Sequence, residues 1–288
     1  MKFSFGKRKR FSTSAVGIAV FVVFLVYALV LIVPYLYALN VSLKTRVEYT
    51  DKPIFALPEK PMFSNYLRAW KELSTENSYV PMMFLNSLWY AGGMSIFGVF
   101  FSAMAAYVVA YYEFPGRRFF YVFALVAMLL PIMGSMASSL KFAQAIGAYN
   151  SPLFAVLEAG CLGGSFIILY STFKGVSRGY AESAFIDGAG HFRVFISIML
   201  PQVISPLCAL LLADFISLWS DCEVPLIYFP NLPTLSTGLY LYQDVVKKTL
   251  EYPVYFAGLL TCMVPTVVLF SVFQNTLMDI QMGGGLKG

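Results

Sequence analysis

The chain has 288 residues, of which 59% are hydrophobic and 12% charged, with a formal net charge of +5. Soluble domains carry about a quarter charged residues, so this composition predicts an all-α protein that crosses a membrane several times. There is no GxxxxGK[ST] loop to hold nucleotide phosphates, and neither an HExxH motif nor paired carboxylates suggest a hydrolytic site. The four cysteines lack metal-ligand spacing. We therefore expect no catalytic residue, no metal or cofactor and no nucleic-acid partner in this chain.

Apolar stretches long enough to span a bilayer predict about six membrane helices. They cover residues 15–39, 81–110, 119–138, 152–173, 201–225 and 253–277. The region 15–277 is thus expected to be one transmembrane domain. Pro131 and Gly134 interrupt the third stretch, so counts of five or seven stay open.

The distribution of charge predicts which side of the membrane each loop occupies. The segment 1–14 holds five basic residues and no acid, which favours a cytoplasmic N-terminus. An even number of spans returns the tail, residues 278–288, to the same side. External loops are then expected at 40–80, including an amphipathic helix over 63–73, and at 226–251.

The stretch from Arg178 to Pro201 is the longest run between two apolar segments that still carries charge. It lies in a cytoplasmic loop predicted over residues 174–200. The glycines of Gly188-Ala189-Gly190 allow a sharp turn between two short helices. Helical spacing puts Ala181, Ala184 and Phe185 on one face before the turn, and Phe192, Phe195, Ile196 and Met199 on one apolar stripe after it. A plain solvated loop is the alternative.

Residue identities in this stretch resemble the EAA signature of the membrane subunits of bacterial binding-protein-dependent ABC importers. The matching positions are Glu182-Ser183-Ala184, Gly188, Ile198 and Leu200-Pro201, with Ser183 in place of the usual alanine. The resemblance implies a type I ABC importer fold with a cytoplasmic coupling helix that inserts into a separate ATPase subunit. The residues it assigns to that contact are Glu182, Ser183, Ala184, Asp187, Gly188, Phe192, Phe195, Ile198, Leu200 and Pro201.

The fifth apolar stretch contains the acids that most need an explanation. Asp214 lies near its middle, where a charge costs about 2.5–3.5 kcal/mol to insert, so it is expected either on a water-filled substrate path or in a helix–helix hydrogen bond. The segment around Trp219, Ser220 and Asp221 is similar to the W-N-D-F-x-x-P-L stretch of the carbohydrate-uptake branch of this family, with Ser220 replacing asparagine and Cys222 replacing phenylalanine. Trp219 could present a flat face to a sugar, or anchor the helix at the membrane interface.

Two further polar residues in apolar surroundings are candidates for the substrate path. Asn86 lies in the second stretch and Gln144 follows the third. Hydrogen bonding between helices is the alternative for both.

Together these features predict a non-catalytic permease subunit, similar to the MalG-like oligosaccharide permeases, in a bacterial plasma membrane. The partners implied are a second homologous permease chain, an ATPase dimer that binds ATP and Mg, an extracellular solute-binding protein, membrane lipid and a sugar. Three alternatives stay open: an ion-coupled transporter that acts alone, a membrane scaffold or sensor, and an ABC permease for a polyamine, an amino acid or phosphate.

Overall fold

The computed structural model describes residues 15–74, 78–130, 134–158 and 160–283. The described residues form fifteen α-helices and one π-helical turn. The helices are α1 (Ala15–Ser42), α2 (Arg46–Asp51), α3 (Ser64–Glu72), α4 (Val80–Tyr111), α5 (Arg117–Leu129), α6 (Ser135–Ala145), α7 (Leu153–Leu157), α8 (Gly164–Gly175), α9 (Gly179–Ile186), α10 (His191–Val194), α11 (Leu200–Gln202), α12 (Ile204–Ser220), α13 (Glu223–Tyr228), α14 (Leu235–Thr249) and α15 (Tyr252–Gly283).

The central helix is α4, which runs without a break for 32 residues. It packs against α8 and α12 along its length and against α14 near its start. Ala91, Ala103 and Ala106 are fully buried, as expected where small side chains let helices approach closely. Because α4 starts beside α14 and ends beside α9, we refer to the two ends of the bundle as the α14 end and the α9 end.

Three helices are long and apolar enough to cross a membrane, or four if the bent pair described below counts as one span, among the residues that the structure describes. They are α1, α4 and the greater part of α15. The predicted third and fourth spans miss this criterion because each is broken. The total of six spans therefore stays a prediction.

Among the described residues, both breaks lie at glycines. The third predicted span divides into α5 and α6 around Gly134, which has a φ of 79° that side-chain-bearing residues rarely adopt. Pro131 lies outside the described residues. The helix α6 continues to Ala145, past the predicted end of the third span at residue 138. The fourth span divides into α7 and α8 around Gly160, Gly163 and Gly164.

The fifth predicted span has a sharp bend near its start. The helical segments before and after Val203 differ in direction by 84°. A π-helical turn over Phe195–Met199 precedes the bend, with the Leu200 N–H donating to the Phe195 carbonyl. Pro201 follows at once, and a proline cannot donate to the carbonyl four residues earlier.

The π-helical turn also alters which side chains face the core. The buried residues are Val194, Phe195, Met199 and Val203, whereas Phe192 and Ile196 are exposed. The predicted stripe of Phe192, Phe195, Ile196 and Met199 is therefore wrong in half of its members. It assumed a period of 3.6 residues, and a π-helical turn inserts an extra residue.

The two loops predicted to be external contain more helix than expected. The amphipathic helix predicted over 63–73 is present as α3, but α2 and the 15-residue α14 were not predicted. The start of α2 is fixed by a capping box, in which the Glu48 N–H donates to the Thr45 hydroxyl at 3.1 Å and the Thr45 N–H donates to the Glu48 carboxylate at 2.8 Å. The Glu59 N–H also donates to that carboxylate, at 2.9 Å. These bonds lower the pKa of Glu48.

The two predicted tails are only partly covered by the structure. The basic segment 1–14 lies outside the described residues. The last helix, α15, continues to Gly283, past the predicted end at residue 277, and residues 284–288 lie outside the described part.

Candidate functional site

At the α9 end, a short helix is attached to the bundle by two small side chains. Ala181 is 0% exposed and Ala184 is also buried, in a cluster that includes Tyr107 and Ala110 of α4 and Phe173 of α8. Small residues on the inner face bring the α9 backbone close to the larger helices. The outer face is open: Glu182, Ser183 and Asp187 are exposed, and the Ile186 side chain is 86% exposed.

Polar contacts hold both sides of α9 against the link that follows α4. The Arg178 guanidinium lies 3.6 Å from the Glu113 carboxylate and over the Tyr111 ring, 5.9 Å from its centroid. On the other side, Tyr112 Oη and His191 Nδ1 are 2.7 Å apart. These contacts and the buried alanines tie α9 to the end of α4. Through these contacts α9 is connected to a helix of 32 residues that runs to the other end of the bundle.

The turn after α9 depends on Gly188, whose φ is 79°. The Ala189 N–H donates to the Ala184 carbonyl at 2.9 Å and the Gly188 N–H to the Phe185 carbonyl at 3.0 Å. This pair of bonds is the Schellman arrangement, in which the residue past the helix end adopts a left-handed conformation that glycine accepts without strain. The glycine turn predicted here is thus present.

The residues assigned to ATPase contact do not form one surface. Glu182, Ser183, Asp187, Gly188, Phe192 and Pro201 are exposed, Ile198 and Leu200 are half-buried, and Ala184 and Phe195 are buried. Phe192 is 63% exposed and extends the open face of α9 beyond the turn. Ala184 and Phe195 do not belong to this face; they pack against the bundle and hold the face in position.

At the opposite end, Trp219 is packed between helices and is only 5% exposed. Its ring stacks on Phe215 with centroids 5.5 Å apart, and Phe84 meets it edge-on at 5.8 Å. The indole N–H donates to the Cys262 carbonyl of α15 at 3.0 Å. Stacking of Trp219 on a sugar would require it to leave this packing, so the geometry favours a structural role.

Asp221 is also engaged by the protein. Tyr90 of α4 donates its hydroxyl to the Asp221 carboxylate at 2.6 Å, and the Glu223 and Val224 N–H groups donate to its other oxygen at 2.9 and 3.4 Å. Asp221 therefore caps the start of α13 and links it to α4.

Asn86 and its neighbour Ser87 hold the start of α14 against α4. The Asn86 amide donates to the Pro233 carbonyl at 3.0 Å. The Ser87 hydroxyl accepts the Leu235 N–H at 2.8 Å. Asn86, Ser87 and Leu235 are all buried, and the two bonds join α4 to the start of α14 and to the loop residue Pro233 just before it.

Replacing Ser87 with alanine is expected to destabilise the protein by about 1–3 kcal/mol, because the buried Leu235 N–H loses its acceptor. Ser95→Ala is the matched control. Ser95 is 3% exposed against 1% for Ser87 and lies on the same helix, but it bonds only to the Gly92 carbonyl of its own turn. Thermal unfolding of the purified protein in detergent measures the difference, and equal losses for both variants would contradict this role of Ser87.

The remaining candidates of the predicted substrate path differ in exposure. Asp214 is half-buried and has no hydrogen-bond or ion-pair partner within the described part of the chain. Ser220 is exposed and donates to the Ile216 carbonyl of its own helix at 2.9 Å. Gln144 is exposed at the end of α6, away from Asp214 in sequence and in packing. The described part of the chain thus supplies no helix–helix hydrogen bond for Asp214, and its place on a substrate path stays a prediction.

Beside Ser220 lies a cavity of about 510 Å³ that sequence reasoning missed. We call it the α14 cavity; it lies between α12, α14 and α15, and its lining includes Ser220, Ser236, Tyr240, Gln243 and Tyr255. Trp219 contributes to its wall. The only signal for this cavity in the sequence was the polar and aromatic content of the loop 226–251. That content did not predict α14, the helix that places these side chains in the cavity wall.

Comparison with solved structures first defines the class of fold. The chain superposes on a chain of a bacterial ABC transporter involved in the import of the acidic polysaccharide alginate, with a TM-score of 0.75 and 19% sequence identity. The match covers 94% of this chain and 99% of that one. The chain therefore has the same fold as that chain.

Sequence comparison then identifies the family. Residues 98–280 match the profile described as "Binding-protein-dependent transport system inner membrane component". The chain belongs to this family, which agrees with the resemblance found in the region of Glu182.

Two curated relatives illustrate the range of similarity. The diacetylchitobiose uptake system permease protein NgcG of Streptomyces coelicolor is 29% identical over 257 residues, which cover 88% of this chain and 83% of the relative. The trehalose/maltose transport system permease protein MalG of Thermococcus litoralis is 26% identical over 265 residues, which cover 91% and 93%.

Proposed function

We propose that this chain is one of two transmembrane subunits of a bacterial ABC importer for a sugar, in particular an oligosaccharide. The observation that carries the proposal is the construction of α9, whose inner face is held by Ala181 and Ala184 while Glu182 and Ile186 are exposed. A short helix fixed on one side and open on the other fits a groove on a partner. The sugar is proposed because the relatives described above are named for sugar uptake.

The proposed topology has six spans with both termini in the cytoplasm of a bacterial inner membrane. The α9 end then faces the cytoplasm, and the α14 end faces outward. The broken helices α5–α6 and α7–α8 would each count as one span, as discontinuous helices do in other transporters. The proposed partners are a second permease chain, an ATPase dimer at α9 and a solute-binding protein at the α14 end.

In the proposed mechanism, ATP binding and hydrolysis on the ATPase dimer move α9. The Arg178–Glu113 pair and the Tyr112–His191 contact transmit that motion to the end of α4. Because α4 continues to the α14 end and packs on α8 and α12, the bundle tilts as a unit. Alternating tilts open the path between the two permease chains first outward and then inward.

Reconstitution distinguishes this function from transport driven by an ion gradient. Asp214, which has no partner among the described residues, would otherwise suit such a gradient-driven transporter. Proteoliposomes with both permease chains, the ATPase and the binding protein should take up oligosaccharide only with internal ATP. A dissipated ion gradient should leave the rate unchanged. Uptake by this chain alone, abolished by an ionophore, would instead establish the secondary transporter.

A further inference from the structure

The α14 cavity lies at the end of the bundle that is proposed to receive the solute. One side of the cavity wall is held in place, because the Trp219 indole N–H on α12 donates a hydrogen bond to the Cys262 carbonyl on α15 at 3.0 Å. The side formed by the start of α14 is also held in place, because the Ser236 hydroxyl donates a hydrogen bond to the Asp221 carbonyl at 2.5 Å. Its volume of about 510 Å³ lies within the range of about 300–1,000 Å³ typical of small-molecule pockets.

The lining combines aliphatic side chains, such as Leu239, Leu259 and Met263, with aromatic and polar groups. Tyrosine rings from three helices, Tyr35, Tyr240 and Tyr255, meet hydroxyl groups from Ser220, Ser236 and Thr266. None of the lining residues that the structure describes is charged. A charged solute would lose its hydration there without gaining an opposite charge, which is unfavourable. The three hydroxyl groups already donate to backbone carbonyls, so discrimination against an acyl chain depends on the Gln243 amide and the Tyr255 hydroxyl.

The cavity also has unused hydrogen-bonding capacity. The Gln243 amide nitrogen donates to the Tyr255 hydroxyl at 2.8 Å, which links α14 to α15. In this arrangement the amide oxygen of Gln243 can still accept a bond and the Tyr255 hydroxyl can still donate one. The Tyr240 side chain, 49% exposed, adds a ring and a further hydroxyl at the rim. A polyol presents both donors and acceptors, so it could satisfy these groups.

We propose that the α14 cavity is a binding site for an uncharged saccharide, in which Gln243 and Tyr255 contact sugar hydroxyl groups. The inference rests on the proposed function and narrows it, since it assigns substrate contact to this chain and favours neutral over acidic or cationic solutes. It also assigns sugar contact to Gln243 of α14 and Tyr255 of α15, where the sequence had suggested Trp219.

Native cysteines allow a direct test on the unmodified importer. Cys222 lines the cavity and is half-buried, whereas Cys161 is exposed and lies outside it. The importer is alkylated with N-ethylmaleimide in the presence of diacetylchitobiose, maltose or raffinose. Peptide mass spectrometry then measures the alkylation rate of each cysteine. Alginate oligosaccharide, spermidine and phosphate serve as charged comparators. At least one neutral saccharide should slow alkylation of Cys222 by at least 3-fold in a saturable way and leave Cys161 unchanged.

Two variants connect this protection to the proposed contacts. Gln243→Leu and Tyr255→Phe should each raise the saccharide concentration needed for half-protection by at least 5-fold. Val245→Ala, an exposed position on α14 outside the lining, should not change it. A purely structural role of the Gln243–Tyr255 bond would alter the alkylation rate without saccharide and leave the half-protecting concentration unchanged.

The outcomes separate the two proposals. If the importer takes up a neutral saccharide but none of them protects Cys222, the cavity site is wrong and the proposed function stands. If only a charged comparator protects Cys222, the cavity does not bind an uncharged sugar and sugar transport itself is in question. Equal protection of Cys222 and Cys161 would also overturn the site, because the effect would then not be local.

Discussion

Replacement of Glu182 by lysine is expected to reduce ATP-driven uptake at least about 10-fold, because breaking a charge-assisted hydrogen bond in an interface costs about 2–5 kcal/mol. Glu182 is exposed in the middle of α9, next to Ser183 and one turn from Ile186, and no ion pair within the described residues engages it. A carboxylate in that position is available to a partner. The lysine would place a like charge against whichever basic group the partner offers.

The measurements are sugar-stimulated ATP hydrolysis and the amount of ATPase that copurifies with the permease. Asp51→Lys is the control, since it makes the same change of charge at an exposed acid in the predicted external loop. Glu182→Lys should change the thermal stability of this chain by no more than about 1 kcal/mol, because the exposed side chain makes no hydrogen bond or ion pair with the described residues and loses only its interaction with the start of α9. Undiminished coupling and retained ATPase in Glu182→Lys would remove Glu182 from the interface.

Replacement of Gly188 by proline should reduce ATP-driven uptake to a similar extent, because it changes the backbone conformation of the turn after α9. Gly188 has a φ of 79° and its N–H donates to the Phe185 carbonyl at 3.0 Å. Proline fixes φ near −65° and has no N–H, so the turn between α9 and α10 cannot form, at a cost of about 3 kcal/mol or more. Gly188→Ala should be milder, at about 1–2 kcal/mol for the left-handed conformation alone, since no atom lies within 4 Å of the added carbon.

The matched control lies two residues further on. Gly190 has a φ of −71° and a ψ of 156°, a conformation that proline adopts readily, and a side chain there meets no atom within 4 Å. Gly190→Pro should therefore retain most of the uptake that Gly188→Pro loses. Uptake and ATP hydrolysis in proteoliposomes report both variants, and similar losses in the two would show that the turn does not depend on the left-handed conformation of Gly188.

The parts of the fold that sequence reasoning predicted well are those governed by local chemistry. The long apolar runs of α1, α4 and α15, the amphipathic α3 and the glycine turn at Gly188 were all found close to their expected positions. Each depends on composition, on periodicity within one helix or on the backbone freedom of one residue. The family was likewise evident from six matching residues between Glu182 and Pro201.

The candidate site was predicted less well, because its residues are defined by contacts between helices that are distant in sequence. Trp219 and Asp221 were candidates for sugar contact, yet Cys262 and Tyr90 engage them. Gln243 and Tyr255 were not considered, because a polar loop gave no reason to expect a helix at α14 packed on α15. In a membrane, both the lipid-facing and the core-facing sides of a helix are apolar, so periodicity carries little information about burial.

The sequence by itself determined that this protein is a helical membrane subunit of a binding-protein-dependent transporter with a charged, glycine-containing stretch between Arg178 and Pro201. Those properties follow from hydrophobic length and from a short run of residue identities. Only the tertiary structure decided where the spans break, how the π-helical turn before Pro201 changes the buried face, and that the α14 end encloses an uncharged cavity. These depend on packing and on hydrogen bonds between residues far apart in the chain, which the order of residues alone does not reveal.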